Sequence, residues 1–253
     1  MIAYISKTEP SPRRRLCFFP KEAPREEKLE PLGPGLGLFI SREHRFGADA
    51  LLLSDFAAPR PRDRACDLCS GCGIVAARWF LHPDTAPVRV EAVELQPAAV
   101  ALMERSVGEG GLPAGRFFPV LADLRALELP AGAYDLVTCN PPYFPEGAGR
   151  PAQQPGRRLA RQEGGCTLQE VCRAAARLLR QRGRFCLCLP PRRLAEGLAA
   201  LEEAGLTPKR LQLAQHRVDS APFLALLEGR RGARPSLAVL PTQVLTGERS
   251  EGK

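Results

Sequence analysis

The sequence predicts an α/β fold in which a mostly parallel, doubly wound sheet has an antiparallel end. Strand-like apolar runs alternate with segments of helical spacing from residue 49 onwards, and this order favours parallel strands joined by helices. The last two runs, Phe223 to Glu228 and Leu237 to Leu240, are joined by a short turn that contains Gly-Arg-Arg-Gly-Ala-Arg. A turn of this kind predicts a C-terminal antiparallel hairpin.

The first elements surround a glycine-rich turn. We expect a short apolar helix from Asp49 to Ala58, stopped by Pro59, and then a strand from Ala65 to Cys69. A helix over 74–81 follows the turn, and Val88 to Glu94 alternates as a strand does. Pro97 to Val107 suits a helix because proline is well placed in a first turn.

The second half continues the alternation after strands at 117–121 and 134–139. Residues 144–166 are rich in Gly, Pro, Gln and Arg, and connections this long are uncommon unless they are functional. Thr167 and Glu170 fit a capping box, which begins a helix that we expect Gly183 to end. The remaining predicted elements are a strand over 184–189, a helix over 194–204 and a strand over 209–215.

Composition bounds the domain organisation. The 253 residues are 44% hydrophobic and 25% charged, which is typical of a globular chain. Prolines and glycines recur in residues 1–36, so we expect a weakly structured N-terminal extension, one domain over 37–241 and a flexible tail over 242–253. There is no apolar stretch of membrane-span or signal-peptide length, and nine cysteines are an odd number. These features predict a cytoplasmic protein with reduced thiols and no membrane contact; a monomer is favoured.

The charge is unevenly distributed. The formal net charge is +8, but residues 1–149 hold 17 basic and 19 acidic residues, whereas residues 150–253 hold 19 basic and 9 acidic ones. Such asymmetry has two interpretations, a surface that binds a polyanion and a solvated arginine-rich surface.

The turn Asp67-Leu68-Cys69-Ser70-Gly71-Cys72-Gly73 lies between a predicted strand and a predicted helix. Glycines there let the backbone approach a ligand closely. Glu94 ends the next strand and could accept hydrogen bonds from ribose hydroxyls, and Asp123 follows the strand after that. This pattern predicts a nucleoside cofactor, either NAD or S-adenosylmethionine (SAM), although the NAD fingerprint G-x-G-x-x-G is missing because Ala76 takes its last position. The alternative is a tight turn beside a partly exposed glutamate.

The same stretch contains Cys66, Cys69 and Cys72 in the spacing C-x-x-C-x-x-C, which can indicate an iron–sulfur site. A fourth cysteine at ferredoxin spacing is missing, and two of the three fall in the predicted strand. We therefore expect buried thiols in place of small apolar side chains, and no metal.

Asn140-Pro141-Pro142-Tyr143 follows the strand over 134–139. Two prolines make a stiff turn without N–H donors, so the Asn140 oxygen and the proline carbonyls are left as acceptors for an –NH₂ group. Accepting both N–H bonds pulls an amide or exocyclic nitrogen toward tetrahedral geometry and frees its lone pair for methyl transfer. Tyr143 offers a flat face for a planar ring. The alternative is an ordinary rigid turn.

These motifs resemble those of class I SAM-dependent amino-methyltransferases. Three further segments are similar to the bacterial valine-tRNA adenine-N6 methyltransferases: the run from Phe46 to Leu53, residues 160–168 and residues 208–212. The resemblance implies a Rossmann-like fold with a seven-stranded sheet, SAM as cofactor, and tRNA as partner, methylated at the adenine 3′ of the anticodon. Two positions depart from the family pattern, because Cys69 replaces a glycine and Gln162 replaces a histidine.

Carried over by position, the resemblance implies a role for each site residue. Asp67, Gly71 and Gly73 would surround the methionine half of the cofactor, Glu94 would hold its ribose and Asp123 its adenine. The target base would be held by Asn140, Pro141 and Tyr143, and the cofactor pocket would be lined also by Phe46 and Asp49.

The sequence thus predicts a SAM-dependent RNA adenine-N6 methyltransferase. Arg157, Arg158 and Arg161 are candidates for phosphate contacts, unless their loop is simply solvated. The rivals are a protein glutamine N5-methyltransferase, a catalytically silent RNA-binding module and an NAD-binding protein.

Overall fold

A computed structural model describes residues 27–141 and 166–245. The described strands are β1 (Glu27–Gly33), β2 (Leu36–Ser41), β3 (Arg64–Leu68), β4 (Arg89–Glu94), β5 (Phe117–Leu121), β6 (Tyr134–Cys139), β7 (Leu179–Leu189), β8 (Leu206–Gln215), β9 (Leu224–Arg231), β10 (Ala238–Val239) and β11 (Gln243–Val244). The described α-helices are α1 (Ala48–Ala57), α2 (Ile74–Ala77), α3 (Pro97–Gly108), α4 (Leu168–Leu178) and α5 (Leu194–Glu203). Short 3₁₀ turns cover Arg78–Leu81, Leu124–Ala126 and Pro191–Arg193.

The central sheet has the strand order β10-β8-β9-β7-β6-β3-β4-β5. Strands β3 to β7 run parallel, and β9 runs antiparallel between β7 and β8. Within the described residues, seven strands of this sheet are five residues or longer, while β10 and β11 are two-residue additions beside β8. The predicted α/β class is therefore confirmed. The order reverses at β3, which has β6 on one side and β4 on the other, and a crevice forms at the carboxyl ends of strands at such a point.

The predicted C-terminal hairpin has the wrong partners. Strand β9 pairs with β7 and β8, and β10 pairs parallel with β8 rather than antiparallel with β9. Both edges of β9 are already occupied by β7 and β8, so β10 cannot pair with β9 and lies instead at the outer edge of β8.

Gly183 does not end a helix. Helix α4 ends at Leu178, and β7 begins at the next residue and contains Gly183. A Cβ at Gly183 would lie 2.9 Å from the backbone oxygen of Arg180 and 3.1 Å from that of Tyr134. Glycine is needed here because another backbone segment approaches closely, which is a common reason for a glycine inside a strand.

Residues 27–36 are more structured than the predicted N-terminal extension. They form β1 and the turn into β2, and β2 is buried along its whole length against α3. The proline at position 31 is compatible with a strand because, among the described strands, β1 pairs with β2 alone and is an edge strand. At the other end, β11 lies within the predicted tail over 242–253.

Apolar side chains form two clusters, one on each face of the sheet. Cys66 belongs to one and Cys72 to the other, so these two thiols fill core positions as small apolar side chains do. Among residues 27–141 and 166–245, no group of three His, Cys, Asp or Glu side chains is placed to hold a metal ion. No helix in the same ranges is long and apolar enough to cross a membrane.

Part of the arginine excess in the C-terminal half is used inside the sheet. The fully buried carboxylate of Glu228 pairs with Arg210 at 2.5 Å and with Arg230 at 2.5 Å, and Arg184 lies 3.9 Å away. Arg184 also bonds Asp63 at 3.2 Å. These arginines join β7, β8 and β9 and are structural, so the charge available to a polyanion is smaller than the sequence count suggests.

Candidate active site

Asp67 ties the glycine turn to two strands. Its carboxylate, at the end of β3, accepts hydrogen bonds from Ser70 Oγ in the turn at 2.5 Å and from Thr138 Oγ1 in β6 at 2.6 Å. The side chain is only 1% exposed, and this burial raises the pKa of Asp67 to about 6, against the opposing effect of its two hydrogen bonds.

The turn after β3 has three residues in the left-handed backbone region, at φ 55° for Cys69, 56° for Gly71 and 86° for Gly73. A Cβ at Gly71 would meet nothing within 4 Å, which leaves room for a ligand. A Cβ at Gly73 would touch Met103 and Phe117 at 3.0 Å, so that glycine permits close packing of the turn on α3 and β5. Cys69 keeps the conformation although it is not a glycine.

Glu94 is held at the same crevice by backbone donors. Its Oε2 accepts from the Gly71 N–H at 2.9 Å, and its Oε1 accepts from the Leu95 and Gln96 N–H groups at 3.0 Å each. The residue is 7% exposed. A carboxylate offers about four acceptor positions, so one remains for a ligand hydroxyl beside these three bonds.

Asp123 follows β5, two residues beyond the position paired with Glu94. It caps the short 3₁₀ turn by accepting from the Arg125 N–H at 2.9 Å, and it pairs with the Arg125 guanidinium at 2.6 Å. Hydrogen bonds from Arg125 lower the pKa of Asp123. Its side chain is 31% exposed and therefore accessible to a ligand.

Asn140 follows β6 directly, and two side chains orient its amide. Its Nδ2 donates to Asp49 Oδ2 at 3.0 Å, and the Cys188 thiol donates to its Oδ1 at 3.2 Å. The structure thus brings Asp49 to the proposed base-binding amide, a contact that the sequence did not reveal. Phe46, the other residue expected at the cofactor pocket, packs against the apolar cluster that contains α1. Neither Asp49 nor Cys188 carries a spacing signal that ties it to Asn140.

Several predicted site residues lie outside the described residues: Tyr143, Arg157, Arg158 and Arg161. The residues that flank that part of the chain both lie at the crevice. Pro141 is buried after β6, and Cys166 Sγ is 4.0 Å from Cys69 Sγ in the glycine turn.

Burial raises the pKa of the Cys139 thiol, at the end of β6, to about 11. The thiol therefore stays protonated at neutral pH and supplies no thiolate nucleophile.

The crevice combines three features at the carboxyl ends of adjacent strands. These are an open glycine turn after β3, fixed carboxylate acceptors at the end of β4 and after β5, and an oriented amide after β6. Acceptors of this kind suit the hydroxyl and amino donors of a nucleoside, and the open space beside Gly71 suits the substituent that such a nucleoside carries. The residues present therefore fit SAM.

Comparison with known proteins supports this assignment. The methyltransferase small domain family matches residues 36–193. The tRNA1(Val) (adenine(37)-N6)-methyltransferase of Tolumonas auensis is 32% identical over 192 residues, which cover 75% of this chain and 78% of that protein. A ribosomal protein uL3 glutamine methyltransferase of Bordetella pertussis is 35% identical over 123 residues, 40% of this chain and 38% of that protein.

Among solved structures, a predicted O-methyltransferase from Agrobacterium tumefaciens has a similar fold, with a TM-score of 0.60 and 21% identity over 79% of this chain and 89% of that chain. The fold is that of the class I SAM-dependent methyltransferases. The family match spans more than half of the chain, and the Tolumonas relative is matched over more than three quarters of its length. The chain therefore belongs to the methyltransferase small domain family and, within it, to the bacterial tRNA1(Val) (adenine(37)-N6)-methyltransferases.

Proposed function

We propose that this protein methylates the N6 amino group of an adenine in RNA, at the tRNA position just 3′ of the anticodon. The observation that carries the proposal is the oriented Asn140 amide at the end of β6, next to the crevice that fits SAM. The name of the Tolumonas relative supports the choice of tRNA as substrate.

Asn140 and Pro141 would act on the target nitrogen as hydrogen-bond acceptors. The lone pair of an exocyclic amino group is delocalised into the base, which makes the group a poor nucleophile. The Asn140 Oδ1 and the Pro141 carbonyl would accept its two N–H bonds, favour tetrahedral geometry and localise the lone pair for attack. As the N–C bond would form, the bond between sulfur and the methyl group would break, and only then would the proton on nitrogen become acidic. No basic side chain is therefore required before that step, and the proton would pass to water.

When SAM is bound, its sulfonium supplies an electrophilic methyl group. Asp67, Gly71 and Gly73 would hold its methionine half, with Glu94 on the ribose hydroxyls and Asp123 on the adenine. Rigid positioning is the main contribution of these residues, since aligning the reactants removes much of the entropic barrier.

For the RNA, we propose that Tyr143 stacks on the target base and that Arg157, Arg158 and Arg161 contact phosphates. Bases of the anticodon loop are already single-stranded, so little energy is needed to bring one into the site. Its substrate would be tRNA, and eight of its nine cysteines are free thiols, so we further propose that the protein acts in the cytoplasm. We also propose that it acts as a monomer.

A protein glutamine methyltransferase is the second candidate, because an amide –NH₂ presents the same chemistry to Asn140. The Bordetella relative supports it over only 40% of the chain. The substrate test is direct: the protein is incubated with labelled SAM and either total RNA or total protein, and the product is digested. We expect label in N6-methyladenosine from RNA and none with Glu94→Ala, whereas label in N5-methylglutamine alone would overturn the proposal.

A further inference from the structure

Asp49 lies in the first turn of α1 and holds one end of the Asn140 amide, with 3.0 Å between its Oδ2 and Asn140 Nδ2. We infer that Asp49 is a positioning residue for methyl transfer, which fixes the Asn140 oxygen, and not its nitrogen, as the acceptor of the target amino group. The inference rests on the proposed function of Asn140.

The chemistry of the two partners determines the orientation of the amide. The two ends of an asparagine amide have almost the same shape, but one is a donor and the other an acceptor. A carboxylate can only accept, so it selects Nδ2 on its side. On the other side the Cys188 thiol donates to Oδ1 at 3.2 Å, so the oxygen is the end of the amide that faces away from Asp49.

A flipped amide would fail in two ways. It would place the Asn140 oxygen against the Asp49 carboxylate, acceptor against acceptor, and it would present an –NH₂ group to the –NH₂ group of the target base. Two amino groups cannot supply the acceptor that the lone-pair mechanism requires. Asp49 therefore selects the one amide orientation that is productive.

The backbone around Asp49 makes room for this carboxylate. A Cβ at Gly47 would lie 2.8 Å from Asp49 Oδ1, closer than real Cβ contacts come, so any side chain at position 47 would displace the carboxylate. Helix α1 is anchored by buried side chains, including the fully buried Leu53. The carboxylate thus projects from a rigid element, as a positioning group requires.

The test compares Asp49→Asn with wild type for kcat, KM and SAM affinity, with an anticodon stem-loop as RNA substrate. Asparagine keeps the shape but can donate or accept, so it no longer selects one amide orientation. We expect kcat to fall about 10–100-fold while SAM affinity stays within about 2-fold, because the carboxylate of Asp49 hydrogen-bonds to Asn140. The sequence places Asp49 in the cofactor pocket instead, and a loss of SAM affinity would support that role. Gly47→Ala should lower kcat in the same direction.

The matched control is Asp55→Asn on the same helix. Asp55 is 55% exposed and pairs with Arg78 at 2.7 Å, so the same chemical change there should leave kcat unaltered. A double variant Asn140→Ala/Asp49→Asn should be no slower than Asn140→Ala alone, because Asp49 acts only through Asn140. Unchanged kcat in Asp49→Asn, or a 10-fold loss of SAM affinity that accounts for the effect, would overturn the inference.

A readout independent of activity separates this inference from the proposed function. The side-chain amide protons of Asn140 can be assigned by NMR, because their resonances are lost in Asn140→Ala. The resonance of the amide proton that is hydrogen-bonded to Asp49 should shift upfield in Asp49→Asn but not in Asp55→Asn. If wild type methylates no RNA, the proposed function fails, while this shift still decides whether Asp49 orients the amide. An unmoved resonance would contradict the positioning role.

Discussion

Cys69 holds a backbone conformation that usually belongs to glycine. Its φ of 55° lies in the left-handed region, in the turn where the family pattern has a glycine. A non-glycine residue pays about 1–2 kcal/mol for this region. The thiol contact with Cys166, at 4.0 Å between sulfurs, gives the side chain a neighbour but does not remove the strain.

We therefore predict that Cys69→Gly is more stable than Cys69→Ala by about 1 kcal/mol, after allowance for the extra freedom of glycine in the unfolded chain. Both variants lose the thiol, so the difference between their free energies of unfolding isolates the contribution of the backbone conformation. Urea unfolding of the two variants measures it. A Cys69→Ala protein as stable as Cys69→Gly would show that the left-handed turn is not strained.

The buried carboxylate of Asp67 gives a pH dependence with a definite sign. Its pKa is raised to about 6 in the folded protein from 3.8, so the folded state binds the proton more tightly than the unfolded state does. The stabilisation by this proton is complete below about pH 4 and is lost as the pH rises through about 6.

Relative to Asp67→Asn, the free energy of unfolding of wild type should fall by about 2 kcal/mol between pH 4 and pH 7. Denaturant titrations of both proteins across this range provide the measurement. If the free energy of unfolding of wild type instead rose with pH relative to Asp67→Asn, the hydrogen bonds from Ser70 and Thr138 would lower the pKa of Asp67 by more than burial raises it.

At the scale of elements, the three C-terminal strands β7, β8 and β9 are joined through Glu228. Its carboxylate is fully buried and contacts arginines from all three strands. Removing one partner of such a cluster leaves buried charges uncompensated.

Glu228→Gln should lower the free energy of unfolding by about 3–5 kcal/mol. The matched control is Glu196→Gln, since Glu196 also pairs with an arginine but is 42% exposed, and should cost less than about 1 kcal/mol. Thermal and urea unfolding of the two variants test this. If both variants lost the same free energy of unfolding, burial would not strengthen the ion pairs of Glu228.

Local pattern was sufficient for elements whose boundaries depend on neighbouring residues. The strands Phe117–Leu121 and Tyr134–Cys139 and the Thr167–Glu170 capping box were predicted to the residue and confirmed. The predicted helix over 74–81 is α-helical only to Ala77 and continues as a 3₁₀ turn.

Pairing between distant segments was not predictable from local pattern. The position of β10 depends on which edges of β9 are already taken, and the β1–β2 hairpin depends on packing against α3. The same limit applies to the candidate site. Strand ends located Asp67, Glu94 and Asn140, whereas Asp49 is 91 residues from the amide that it orients.

For the whole molecule, the distribution of charge bears on RNA binding. Residues 150–253 carry the basic excess, but several of these arginines pair with acids or bond backbone carbonyls within the fold. The proposed phosphate contacts therefore depend on Arg157, Arg158 and Arg161, which lie outside the described residues.

Replacing those three arginines together by alanine should weaken binding of an anticodon stem-loop and reduce the slope of log affinity against log salt by up to about two units. SAM affinity should not change. The control is a triple alanine variant with the same loss of charge at arginines that pair with acids elsewhere: Arg78, Arg89 and Arg105. Identical slopes for wild type and the 157/158/161 variant would remove this segment from the RNA interface.

The most direct test of the account is methylation of a single adenine. An anticodon stem-loop with an unmodified adenine 3′ of the anticodon, and its guanine-substituted counterpart, would be incubated with SAM and either wild type or Asn140→Ala, and their nucleosides identified by mass spectrometry. We predict N6-methyladenosine at that position with wild type, none in the guanine substrate, and a kcat at least about 100-fold lower in Asn140→Ala with SAM affinity retained. Wild-type turnover by Asn140→Ala, or methylation at another atom of the base, would contradict the account.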